Sequence, residues 1–115
     1  MGLARMRARV EGWTDQWAVV RVSGRSMQPT LRAGDRMLVQ HGATPRDGDL
    51  AVVRLPDGVV AVKRVTGRRD GGWWVERDNA AEGVDSWLVG AIPDDDLVAV
   101  VRARVWPLAR RRAGA

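Results

Sequence analysis

Short apolar runs of alternating pattern, cut at intervals by glycine and proline, make up most of this 115-residue chain. Trp17-Ala18-Val19-Val20-Arg21-Val22 reads as a strand, and so does Arg36-Met37-Leu38-Val39-Gln40. The runs Asp49 to Leu55 and Gly58 to Val65 flank Pro56-Asp57-Gly58, turn chemistry that predicts a hairpin. Thr66 to Gly72 reads as a second turn and Trp73 to Arg77 as the strand leaving it; Leu97 to Val105 is a last long strand. Helical periodicity is unpersuasive beyond the first dozen residues. The pattern predicts a mainly β fold, with several coiled antiparallel sheets around a small barrel-like core. There is no internal repeat and no linker, so residues 1–115 read as one domain with its core at about 17–107.

Composition narrows the chemistry. At 45% hydrophobic and 29% charged residues the chain can bury a core. The absence of cysteine removes disulfides, thiolate metal sites and cysteine nucleophiles, and a single histidine, His41, removes multi-histidine metal sites. No cofactor or metal site is expected. No run approaches the ~20 apolar residues of a membrane-spanning helix. Nor does an apolar run follow the basic start Met1–Arg9, so a signal peptide is not expected.

The net charge of +5 is unevenly spread. Arg5, Arg7 and Arg9 lie near the start, and Arg102, Arg104, Arg110, Arg111 and Arg112 near the end. Between residues 10 and 101, eleven basic and fourteen acidic side chains leave a mildly acidic body. Such a body argues against nucleic-acid binding. The basic ends read as solubility tails that could also rest on acidic lipid.

Eighteen of the nineteen basic residues are arginine; the exception is Lys63. Lysine can lose its proton when desolvated, whereas arginine effectively cannot. In the strand Val59–Val65, Lys63 shares a face with Val59, Ala61 and Val65. Burial of that face would desolvate the amine and lower its pKa. Of the three serines, Ser26 follows a strand end and lies between Gly24 and Pro29, a setting that fixes a hydroxyl beside free backbone N–H groups. A serine nucleophile needs a base. His41 reads as a loop or core residue, which leaves Lys63.

Ser23-Gly24-Arg25-Ser26-Met27-Gln28-Pro29-Thr30-Leu31 resembles the nucleophile box of type I signal peptidases. Gly34-Asp35 with Met37-Leu38-Val39, then Gly48-Asp49 with Val52-Val53, resemble the boxes that follow. Val62-Lys63-Arg64-Val65 resembles the box carrying the lysine base, and Asp78-Asn79 with Asp85-Ser86 the last box. The likeness runs in order over residues 19 to 107 and implies the fold of the LexA and signal peptidase superfamily. LexA-like self-cleaving repressors share fewer of these elements.

The resemblance implies that Ser26 attacks a peptide carbonyl and that neutral Lys63 takes its proton. It implies that the Ser26 N–H helps bind the oxyanion, that Met27 covers the dyad, and that Asp78, Asn79, Asp85 and Ser86 support the site. Three positions depart from the family pattern: Arg77 stands for a glycine, Gly83 for a serine that orients the lysine, and Trp87 for an arginine. Gly24 stands where some relatives carry an extra serine donor.

Gly72-Trp73-Trp74-Val75, Gly90 to Leu97 and Val105-Trp106-Pro107 are similar to the maturation proteases of nickel-type superoxide dismutase. Those relatives imply a cytoplasmic enzyme that removes a short propeptide from the dismutase precursor, with the Arg-rich tails as the means of any peripheral contact with a membrane. Signal peptidase activity at a membrane and a non-catalytic binding module are the other readings. The oligomeric state is left open. Adjacent Trp73 and Trp74 should point to opposite faces, one in the core and the other exposed or lining a groove.

Overall fold

The computed structural model describes residues 8–13 and 16–108. Seven strands form: β1 (Ala8–Trp13), β2 (Trp17–Val22), β3 (Arg36–His41), β4 (Leu50–Arg54), β5 (Val60–Arg69), β6 (Gly72–Glu76) and β7 (Leu97–Trp106). Neighbouring strands all pair antiparallel. The mainly β, antiparallel expectation holds. The strands are continuous in one sheet of order β1-β2-β3-β7-β4-β5-β6, in which the last strand is the seam between the two halves.

The sheet coils far enough for β1 to pack against β5, which gives the barrel-like core. Bulges in the β1–β2, β3–β7 and β4–β7 pairs increase the local twist that this curvature needs. Alternation then divides the core in two. Val52 and Val62 join Val20, Val39 and Ala99 in one cluster. Ala51, Val53, Ala61 and Val65 join Val75 and Ile92 in the other. Strand β4 is an unbroken apolar run because it has a core on each face.

Several boundaries differ from expectation. Thr66 to Gly72 is not a loop: β5 runs on to Arg69, and only Asp70-Gly71 turn, with φ of 54° and 78°. Two successive positive φ values match the twist of a tight hairpin. Gly67 adjoins a register shift within the ladder. Arg68 and Arg69 stay in the strand with their guanidinium groups over the rings of Trp73 (4.5 Å) and Trp74 (4.2 Å).

Trp73 and Trp74 do point oppositely. Trp73 packs against the second cluster, while Trp74 is buried edge-on to Trp87 at 5.2 Å. Arg102 and Arg104 are not tail residues but members of β7, bonded to Gln40 and to the Pro107 carbonyl. Arg5, Arg7 and Arg110–Arg112 lie outside the described residues. So does the side chain of Arg9, whose backbone belongs to β1. A one-turn helix, α1 (Ser86–Val89), and a 3-10 turn at Asp94–Asp96 complete the fold. Among the described residues, no helix is long and apolar enough to cross a membrane.

Candidate active site

After β2 the chain leaves the sheet in a loop that returns at Asp35. The Val22 N–H donates to the Asp35 carbonyl and the Gly34 N–H to the Val22 carbonyl, both at 2.8 Å. Met27 and Leu31, each 3% exposed, anchor the loop in the first core cluster. The buried Asp35 carboxylate accepts from the Arg32 N–H at 3.0 Å and fixes the loop's exit. Gly24, at φ 84°, takes a left-handed conformation that other residues resist. Ser26 is therefore a loop residue whose chain neighbours are pinned on both sides.

Lys63 lies on the inner face of β5 opposite Ala51 of β4, between Ala61 and Val65. It is 2% exposed. Desolvation lowers its pKa to about 8; the Asp85 charge pulls it upward and the Arg77 charge downward. At neutral pH roughly a tenth of the amine is then free base, enough for a general base to work. Strand β6 begins pairing with β5 only at Arg64, so among the described residues β5 from Val60 to Lys63 pairs on the β4 side alone.

Both side chains approach Gly83. A Cβ built at position 83 would overlap Ser26 Cβ and stand 3.4 Å from Lys63 Nζ. Gly83 has φ 104°, which favours glycine as well. Ser26, Lys63 and Gly83 line a groove of about 300 Å³ with Gly24, Val59 and Ala61. The arrangement is a serine and a desolvated amine lining one groove near an open strand edge. Residues 8–89 match the Peptidase S24-like family.

The chain belongs to the Peptidase S24-like family. This places it in the LexA and signal peptidase superfamily, and a peptidase-family function with a protein substrate follows. No curated protein matches the chain.

In this S24-like domain, Asp78 and Asn79 tie the Ser26 loop to the lysine strand. Asp78 takes two bonds from the Arg64 guanidinium, at 2.9 and 2.7 Å, and one from the Thr30 hydroxyl. Arg64 holds its carboxyl below the usual range. The Asp78 N–H also reaches Met27 Sδ at 3.4 Å. The Asn79 N–H donates to the Ser26 carbonyl (2.8 Å), and its side-chain amide to the Arg25 carbonyl (2.9 Å). Asp85 caps α1 by accepting from the Trp87 N–H, and pairs with Arg77 at 3.2 Å. The buried Ser86 hydroxyl accepts from the Val75 N–H at 2.8 Å, fastening α1 to β6.

Met27, Pro29 and His41 lie outside the groove that Ser26 and Lys63 line. Met27 is buried in the first core cluster and lines a small pocket with Ser26, Ala61 and Val62; the resemblance implied that it covers the dyad. Pro29 is exposed on the loop, outside the groove. His41 ends β3, exposed and also outside the groove. Two residues acquire meaning only in three dimensions: Gly83, through its place beside Ser26 and Lys63, and Arg77, through Asp85. Their signal in the sequence was their departure from the family pattern.

Proposed function

We propose that this chain is a serine endopeptidase in which Ser26 is the nucleophile and Lys63 the general base. We propose further that it removes the N-terminal propeptide of a nickel-type superoxide dismutase precursor in the cytoplasm. The observation that carries the peptidase reading is the buried amine that lines one groove with the serine, both of them beside Gly83. Neutral Lys63 accepts the hydroxyl proton as Ser26 Oγ bonds to the scissile carbonyl carbon. The resulting ammonium returns that proton to the departing amine as the C–N bond breaks. Water then adds to the acyl-serine, giving a proton to Lys63, and Lys63 passes that proton to Ser26 Oγ as the ester bond breaks, which restores the hydroxyl and the free amine.

The Ser26 N–H stabilises the oxyanion, and Gly24 adds no side-chain donor. An extended substrate enters as a strand along Val60–Lys63. The dismutase substrate rests on the likeness of Gly72–Val75, Gly90–Leu97 and Val105–Pro107 to the maturation proteases. The test is incubation of the precursor with the wild-type, Ser26→Ala and Lys63→Ala proteins, followed by N-terminal sequencing of the product. One new N-terminus, made by wild type alone, supports the proposal. Equal cleavage by all three removes the dyad, and no cleavage of the precursor by an enzyme active on other proteins removes the substrate.

A further inference from the structure

Two of the departures from the family's last box, Arg77 and Trp87, meet at one carboxylate. Asp85 is 7% exposed. One of its oxygens accepts from the Trp87 N–H at 3.2 Å, and the other pairs with Arg77 at 3.2 Å. The same guanidinium donates to the carbonyls of Asn79 and Ala80, each at 3.1 Å. Arg77 thus grips both ends of the segment 79–85, and between those ends Gly83 lies on Ser26 and Lys63.

We infer that Arg77 is a positioning residue for the Lys63 base: by engaging Asp85 and the carbonyls of the 79–85 segment, it holds Gly83 on the reacting pair and keeps the Asp85 charge from fixing a proton on the amine. The inference rests on the Ser26–Lys63 reading of the site.

The charges around Lys63 support it. β4 presents Ala51 opposite the lysine, and beyond it along β5 Arg64 is engaged by Asp78. Arg25, Asp57 and Glu82 line the groove but are exposed, so water screens them. Asp85 is the buried anion acting on the lysine and Arg77 the cation opposing it. Removing Arg77 takes away a repulsion and frees an attraction, and both changes favour the ammonium.

Lys63 is the chain's sole lysine, so protein labelled with 13C-lysine reports this amine alone by NMR. Arg77→Gln should raise the titration midpoint by about one pH unit, and the acidic limb of precursor cleavage should move with it, a roughly ten-fold loss at pH 7. Adding Asp85→Asn should return the midpoint to the wild-type value or below. Asparagine keeps an oxygen for the Trp87 N–H, so Asp85→Asn alone should fold and lower the midpoint, even where Arg77→Gln does not fold.

Midpoints unmoved in these variants, with cleavage reduced by one factor at every pH, would mean that Arg77 only braces the loop, and the inference fails. Midpoints that move as expected in a protein that cleaves nothing uphold Arg77's role and refute the dyad instead.

Discussion

Gly83 lies against Ser26 so closely that any side chain at position 83 would overlap the serine Cβ. The family pattern has a serine here, yet this chain has no room for one. Gly83→Ser should therefore inactivate the protein, as should Gly83→Ala. Displacing a nucleophile by about 1 Å can cost on the order of 10²-fold in rate. Cleavage rates of the two variants, alongside their melting temperatures, check this. Retained activity in Gly83→Ser would contradict the close approach.

Lys63 should cost the fold stability. Its pKa falls from 10.5 to about 8 on folding, so the unfolded chain holds the proton more tightly. The penalty is complete below pH 8, shrinks as pH rises, and is gone above about 10.5. Its size is on the order of 3 kcal/mol. Lys63→Met should abolish cleavage while raising the unfolding free energy at pH 7, and the gain should diminish toward pH 10. Lys63→Arg should be inactive too, since arginine stays charged. Denaturant unfolding across this pH range supplies the measurement.

Asp78 should act in the opposite sense. Its carboxyl is held below the ordinary value of 3.8 by Arg64, so its contribution is complete above that value and is lost as pH falls below it. Asp78→Asn weakens a paired, half-buried contact and should cost about 1–2 kcal/mol at pH 7. The gap between wild type and variant should close below pH 3.8. Because Asp78 joins the Ser26 loop to the residue after Lys63, cleavage should fall by more than the lost stability explains.

Local pattern set much of the sheet. Trp17–Val22 is a strand with the bounds its alternation predicts, because burial on one face enforces period two. The Thr66–Gly72 stretch misled because glycine and charge imitate a turn. There the guanidinium groups of Arg68 and Arg69 cover tryptophan rings, and a bulge beside Gly67 absorbs the irregularity. β1 is not legible in the pattern because its residues mix charge with glycine; its partner along the ladder is β2. Ser26 and Lys63 could be picked out by residue type, strand face and family likeness. Arg77 and Gly83 stood out only as departures from the family pattern, and their roles did not, since a close approach and a long-range ion pair arise only when distant segments fold together.

The most direct measurement is labelling of the protein by a serine-directed electrophile as a function of pH, with the modified residue located by mass spectrometry. The account predicts modification at Ser26, at a rate rising to half its maximum near pH 8, and none in Lys63→Met. Labelling that spares Ser26, or that proceeds equally well without the lysine, would contradict it.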